Sequence, residues 1–496
     1  MNLANRLVSN CEKVPNRICL IQKDEKITYK ELYNRVANFK TFLESKSIKK
    51  GDKVLVLVPM SIELYVSLIS IWAIGAIPCF MDAGFIKNGM KNNEFDDITA
   101  VVGITKYIWY SNINKNLKKL KNKINVNVQK KLNVIQKLDI AELENDYPAI
   151  LTYTSGSTGK PKIAARTHEF LSVQGEILSS ALNYEDKDVE LSSIPIFTLS
   201  NINTGITTVI TDGNFVSLGK SNPVKIVNQL LTKDVNRIMA APGILNVVCD
   251  YCIRNNIIIN NINKIFTGGG AIFLDFIEKL KIVFPNSSIV TLYGSTEAEP
   301  IAELNVNEMT SEDIELIKNG KGILAGKIIG VDDCKTINCE KTEIGEITYQ
   351  EFENIITRGV GEIVVSGKNV LGGYVNGVGD KENKFSVDGI KYHRTGDLGY
   401  IDDDGRLWLR GRIKEPFFNI EAALHSRLNI GKTAILKEDD KIILVLEEHD
   451  NVSESDIRNA INFERLDEVK YVKKIPVDKR HNTKVDYKEL RKILKI

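Results

Sequence analysis

Between Tyr153 and Lys162 the chain reads YTSGSTGKPK. The glycines Gly156 and Gly159 and the hydroxyls of Thr154, Ser155, Ser157 and Thr158 fall close together, and Lys160 closes the run. A polyphosphate needs this mixture: glycines let backbone N–H groups close in, hydroxyls donate further hydrogen bonds, and lysine supplies charge. A Walker A loop requires GxxxxGK followed by Ser or Thr; here the glycines stand too close and Pro161 follows Lys160, so that reading fails. The bland alternative is a Gly/Ser linker, for which Pro161 and its flanking lysines are poor chemistry.

The elements that must hold this loop are read from apolar runs and punctuation. Ala149–Leu151, bounded by Pro148, predicts a buried strand from which the loop emerges. Earlier, Thr28 is placed as an N-cap, with Glu31 completing a capping box for a helix through Leu43. VLVLV at Val54–Val58 predicts a strand, Ile62–Ile74 a buried helix, and Ala76–Phe80 a second strand. The weakly charged run Leu64–Met81 approaches the length of a membrane span, but Gly75 and Pro78 interrupt it, and strand, helix, strand is the better parse. Strands alternating with helices imply a parallel, helix-covered sheet. Asn112–Leu132 is lysine-rich with Ile113, Leu117, Leu120 and Ile124 at helical spacing, which predicts a solvated surface helix packing one apolar stripe.

Length and charge bound the function. At 496 residues the chain exceeds one ordinary domain. A net charge of +2, with acids and bases nearly balanced, gives no pull toward nucleic acid or an anionic membrane and favours a small-molecule substrate. The seven cysteines are odd in number and scattered, and no secretory pattern opens the sequence, so a reducing cytoplasm is expected. Cys249 and Cys252 form a lone CxxC in an apolar, helix-like run, poor evidence for zinc.

The phosphate-type loop resembles that of the adenylate-forming superfamily, which includes acyl-CoA synthetases, peptide-synthetase adenylation domains and luciferases. Further stations follow in the order that family uses, and the resemblance spans nearly the whole chain. ITYKELYNRVANFKTFLE, KKGDKVLVLVPMS and WAIGAIPCFMD are similar to its amino-terminal domain. NKIFTGGGA, Asn263–Ala271, ends a strand in three glycines ahead of a helical run from Phe273 to Phe284; the spacing does not fit GxGxxG. The resemblance makes Gly268, Gly269, Gly270 and Ala271 one wall of an adenine site. In YGSTEAEP, Tyr293–Pro300, Tyr293 and Gly294 join the nucleotide-binding set, Tyr293 as a stacking partner for adenine, while Thr296 supplies a hydroxyl for the α-phosphate and Glu297 a carboxylate for Mg²⁺. In YHRTGDLGY, Tyr392–Tyr400, Asp397 is expected to accept both ribose hydroxyls, which its two oxygens match. A hairpin follows, turning at Asp404 and Gly405. Arg412 matches the family arginine that contacts ribose or phosphate, and Lys414 the interdomain hinge. Lys484, in PVDKRHNTKVDYKEL, aligns with the lysine that bridges carboxylate and α-phosphate during adenylation.

The implied architecture is α/β: a large multi-subdomain amino-terminal domain with helix-covered sheets, residues 1–413, joined by a hinge to a small α+β carboxy-terminal domain, residues 414–496, that carries Lys484. The implied function is ATP- and Mg²⁺-dependent activation of a carboxylic acid to an acyl-adenylate with release of pyrophosphate. Acyl transfer or ring closure then releases AMP. PIFTLSNINTGITTVI, HRTGD, EPFFN and RHNTK resemble most the β-lactone synthetases of long-chain olefin biosynthesis, which points to fatty or 3-hydroxy fatty acids. CoA is the acceptor in the alternative, thioester-forming reading, and pathway enzymes or a carrier protein are the partners such chemistry uses. A nucleotide-binding regulator without turnover is the third reading; a degraded copy should lack Glu297, Asp397, Arg412 or Lys484, and all are present. Two departures stand out. Ile163 replaces the glycine that usually follows PK, and Lys414 runs almost directly into EPFFN where relatives carry a glycine-containing hairpin.

Overall fold

The computed structural model describes all residues except 82–96, 115–116, 132–136, 156–160, 215–217, 339, 341, 376, 449–451 and 478–484. The chain divides into two compact units: Met1–Thr211 with Leu371–Lys381, and Asp212–Val370 with Glu382–Ile496.

The first unit is built on a six-stranded sheet in the order Asn122–Asn125, Ile98–Gly103, Lys53–Leu57, Ile77–Met81, Pro148–Ser155, Pro161–Thr167. Its first five strands run parallel and the last is antiparallel. Strands Val189–Ser192, Thr207–Ile210 and Ile18–Gln22 add a second parallel set, edged by the antiparallel Glu25–Thr28. The predicted strand, helix, strand unit is present, with its helix at Ile62–Ile74. Every residue of that helix is buried, capped by Ser61 at one end and by Gly75 at φ +80° at the other. It is a core helix of 13 residues, and among the described residues no helix is long and apolar enough to cross a membrane. Helix Tyr29–Ser45 begins at the expected capping box: Glu31 N–H donates to Thr28 Oγ1, and Thr28 N–H to Glu31 Oε2.

The lysine-rich stretch is not the helix its spacing predicts. Helix Thr105–Ile113 ends where that pattern begins, and Asn122–Asn125 forms an edge strand beside Ile98–Gly103. Sheet pairing overrides helical periodicity here. Ile124 is buried on the sheet, while Asn114 closes the preceding helix by accepting from Leu117 N–H through its side chain.

In the second unit, Arg237–Met239, Lys264–Gly268 and Ser288–Ser295 run parallel. The sheet continues antiparallel through Ala298–Asn305, Ile323–Ile328, Arg406–Arg412, Ile390–Ile401, Gly361–Ser366 and Asp333–Ile337. A separate three-stranded sheet follows near the carboxy terminus: Ala434–Glu438 and Lys441–Glu447 form a hairpin, and Glu468–Val472 lies parallel to the second strand. Its side chains alternate between faces. Ile435, Leu444 and Leu446 pack on helices Phe418–Arg427 and Glu454–Ala460, while Leu436, Ile443 and Val445 pack on Ile475 and Leu490. This gives the small α+β region the residues after Lys414 were expected to form.

Candidate active site

Strand Lys264–Gly268 ends beside Leu292 of the neighbouring strand. A Cβ on Gly268 would lie 2.4 Å from the Leu292 carbonyl oxygen, so only glycine fits, and Gly269 follows at φ +84°. The backbone at this strand end is therefore free of side chains. Gly269, Gly270 and Ala271 line a cavity of about 770 Å³ together with Tyr293, Gly294, Asp397 and Arg412. The structure thus brings most of the expected nucleotide-binding residues of this unit around one space.

Asp397 is at the centre of that grouping. It sits opposite Arg412 in the pairing of Ile390–Ile401 with Arg406–Arg412. Tyr293 Oη donates to its Oδ2 at 2.8 Å, and Arg412 Nε donates to Oδ1 at 3.2 Å. Its own N–H donates to Thr395 Oγ1 at 3.1 Å. A carboxylate offers about four lone-pair sites, so each oxygen retains capacity for a ligand hydroxyl. Burial first, and then the adjacent Asp397 charge, hold the Tyr293 phenol well above its ordinary pKa. Tyr293 consequently stays a donor, and the phenol anchors the carboxylate while its ring faces the cavity.

Thr296 and Glu297 occupy the turn between strands Ser288–Ser295 and Ala298–Asn305, closed by the Ser295–Ala298 pair. Glu297 N–H donates to Ser295 Oγ at 3.2 Å; Thr296 is exposed and Glu297 half-buried. Among the described residues no group of three or more His, Cys, Asp or Glu side chains forms a metal cage. A single carboxylate on a polar turn nevertheless suits Mg²⁺, which keeps waters and takes its other ligands from phosphates.

Other expected residues lie elsewhere. Gly156, Ser157, Thr158, Gly159 and Lys160 fall outside the described residues, as does Lys484. Thr154 and Ser155 are placed by backbone only, at the end of the hairpin Pro148–Ser155 with Pro161–Thr167. Val485 and Tyr487, which follow Lys484, both line the cavity. Lys414 is exposed in a tight turn where Arg412 N–H donates to Glu415 O at 2.9 Å and Glu415 N–H to Arg412 O at 3.0 Å. The turn packs on Gly411, at φ +143°, where a Cβ would lie 2.5 Å from the Glu415 carbonyl oxygen. Phe197, near the family's acyl-pocket position, is buried in helix Pro195–Thr204. Cys249 and Cys252 are buried in helix Pro242–Arg254, and burial pushes the Cys252 thiol up to about 11.

Sequence reading missed a second group on the cavity wall: Phe273, Asp275, Glu421, His425 and Thr433. His425 Nδ1 is 3.3 Å from Asp275 Oδ2, and Nε2 is 3.3 Å from Thr433 Oγ1. Thr433 donates onward to Glu421 Oε1 at 3.4 Å. No spacing announces the set, because Asp275 and His425 are 150 residues apart.

The profile of the family described as AMP-binding enzyme matches residues 7–375. The chain is 23% identical over 454 residues to an olefin β-lactone synthetase of Xanthomonas campestris pv. campestris, covering 82% of this chain and 78% of that protein. It is 24% identical over 528 residues to a 4-coumarate–CoA ligase of Vanilla planifolia, covering 97% and 91%. Among solved structures, O-succinylbenzoate coenzyme A synthetase of Bacillus subtilis in complex with ATP and magnesium superposes with a TM-score of 0.75 at 20% identity, covering 98% of this chain and 99% of that one.

Proposed function

Because this chain belongs to the AMP-binding enzyme family of AMP-forming, acyl-activating ligases, we propose that it joins a carboxylic acid to AMP and releases pyrophosphate. The observation that carries the reading is the Tyr293–Asp397–Arg412 grouping beside the side-chain-free strand end at Gly268–Gly270. It offers a flat, open wall for a purine next to a carboxylate with capacity for vicinal hydroxyls.

In the proposed first step a carboxylate oxygen of the acid attacks the α-phosphorus of ATP, and the bond to pyrophosphate breaks. No protein nucleophile is required, so the side chains position reactants and neutralise charge. The loop Thr154–Lys160 holds the outer phosphates. Thr296 donates to the α-phosphate, and Lys484 bridges it to the acid. Glu297 would hold Mg²⁺, which when bound supplies neutralising charge to the phosphates. Residues 1–413 act as the nucleotide-binding domain, and 414–496 as a smaller one pivoting at Lys414.

For the second step we favour ring closure. The 3-hydroxyl oxygen of a 3-hydroxy fatty acyl group attacks its own carbonyl carbon, loses its proton, and AMP leaves with the adenylate oxygen. The compact Arg412–Glu415 turn supports this, because it leaves no room for the hairpin that shapes the thiol-entry side in CoA ligases. Thioester formation is the second reading, favoured by similarity over nearly the whole chain to a protein named as a CoA ligase. Incubating the protein with magnesium-ATP and a long-chain 3-hydroxy acid, without CoA, and identifying products by mass spectrometry separates them. A product equal to the acid minus water, formed with AMP, supports ring closure. Adenylate consumed only on addition of CoA overturns it.

A further inference from the structure

The wall of the cavity opposite the nucleotide residues is a clamp between two stretches distant in sequence. Helix Leu274–Val283 begins at Phe273 and carries Asp275 in its first turn, while helix Phe418–Arg427 carries Glu421 and His425. The His425 ring lies flat on Phe273, with centroids 4.6 Å apart and planes 3° from parallel. Its edge reaches Asp275 on one side and Thr433 on the other, both at 3.3 Å. With its side chain only 9% exposed, His425 is held on a face and at both nitrogens.

The hydrogen bonds form a continuous chain from Asp275 through His425 and Thr433 to Glu421, and one proton satisfies all of it. On the imidazole, that proton lets Nδ1–H donate to Asp275 and Nε2–H to Thr433, whose hydroxyl donates to a charged Glu421. On Glu421, the carboxyl donates to Thr433, Thr433 to Nε2, and Nδ1–H still donates to Asp275. The Asp275 contact is kept in both arrangements, so the clamp is continuously closed. Burial raises the Glu421 carboxyl to about 7, which admits both.

This clamp lies on the polypeptide that leads to the remaining cavity wall. Helix Phe418–Arg427 packs through Ile420, Ala423 and Leu424 on strands Ala434–Glu438 and Lys441–Glu447, whose other face packs on Leu490 beside Val485 and Tyr487. Fixing that helix fixes the sheet, and the sheet fixes where Val485 and Tyr487 enter the cavity. Stacking and hydrogen bonds at one ring give a single orientation, which apolar packing alone would not impose.

We propose that His425 is a positioning residue for adenylation, docking the carboxy-terminal α+β region on Phe273 and Asp275 so that the segment before Val485 is presented to the nucleotide cavity. The proposal rests on the adenylation reading above. It requires no contact between His425 and substrate.

The test separates the half-reactions. Pyrophosphate–ATP exchange with a long-chain 3-hydroxy acid measures the first; turnover of the chemically prepared acyl-adenylate, without ATP, measures the second. His425→Ala should lower exchange kcat at least about tenfold while leaving KM for ATP within about threefold and adenylate turnover unchanged. His425→Phe, which keeps the stack, should recover part of the loss. A readout independent of substrate is hydrogen exchange: His425→Ala should speed exchange in Leu274–Val283 and Phe418–Arg427 but not in Ala434–Glu438. Wild-type exchange kcat in His425→Ala, equal loss in both half-reactions, or faster exchange throughout the small sheet each overturn the positioning role. If wild-type protein itself shows no pyrophosphate exchange, the adenylation reading fails first, while the hydrogen-exchange pattern still judges the docking contact.

Discussion

Two helices of similar length are both nearly enveloped by protein, yet they are built from opposite materials. Ile62–Ile74, IELYVSLISIWAI, is apolar all round, and its polar atoms are settled locally: Ser67 Oγ donates to Glu63 O, Ser70 Oγ to Val36 O, and Trp72 Nε1 to Ala149 O. Phe418–Arg427, FNIEAALHSR, buries Asn419 and Glu421 beside Ile420 and Leu424, and turns Glu421 and His425 toward the cavity. Apolar burial stabilises a fold without caring much about orientation; buried polar groups contribute less net free energy but tolerate one arrangement. The first helix therefore answers to stability, and the second to geometry at the site.

Substitutions that act on function should barely touch stability near the second helix, and the reverse should hold at the first. The largest effect is expected from Lys484→Ala: pyrophosphate exchange should fall by about 10²–10³-fold, the usual loss for one preorganised electrostatic donor, with ATP binding by calorimetry nearly unchanged. Equal loss of exchange and ATP binding would remove Lys484 from the catalytic role. Next is Ile71→Ala in the apolar helix, where Ile71 is fully buried. It should cost about 3 kcal/mol in urea unfolding through lost transfer energy and cavity formation. The KM for ATP of the folded fraction should stay at the wild-type value.

Where the chain repeats a local rule, its structure was legible. The apolar run bounded by Ser61 and Gly75, the Thr28–Glu31 capping box and the Asp404–Gly405 hairpin were readable because the forces that make them act within a few residues. Asn122–Asn125 was not, since its strand exists by pairing with Ile98–Gly103, and side-chain spacing alone cannot see a partner. The nucleotide residues were readable as short contiguous motifs, and the structure gathers Gly269, Tyr293, Asp397 and Arg412 about one cavity. His425 gave no such signal. Its meaning comes from Phe273 and Asp275, which only the folded chain brings beside it.

The same contrast predicts a pH dependence. Burial, partly offset by His425 and Thr433, raises Glu421 from 4.5 to about 7, so the unfolded chain gives up this proton at lower pH than the native protein. Its contribution to stability is therefore present at low pH and lost as pH rises toward about 7, by at most ~3 kcal/mol. His168 shifts the other way. Burial, then the amino-terminal charge, lowers it from 6.5 to about 4, and its Nδ1 accepts from Leu3 N–H. The native state keeps His168 neutral where the unfolded chain would protonate it, so stability falls as pH drops from about 6.5 to about 4. The two limbs oppose each other across that window. Glu421→Gln should leave only the His168 limb, seen as a steeper loss of urea stability from about pH 6.5 to about pH 4.5 than in wild type. An unchanged slope would mean Glu421 is ionised in the native protein throughout.

The smallest expected effect sharpens the comparison most, because it removes a single atom from the site. Tyr293→Phe keeps the ring on the cavity wall and deletes only the donor to Asp397 Oδ2. A hydrogen bond to a charged acceptor contributes about 1.5–3 kcal/mol, but Arg412 still holds the other oxygen and solvent can reach the vacated one, so about 1 kcal/mol should be lost. If the phenol serves to orient Asp397 for ribose, that loss should appear as a KM for ATP raised about fivefold. The KM for the acid and the urea midpoint should both stay put. A shifted midpoint with an unchanged KM for ATP would instead make the pair part of the sheet's own scaffold, and the site's polar groups would then resemble those of the apolar helix: settled among themselves, with nothing held in readiness for a ligand.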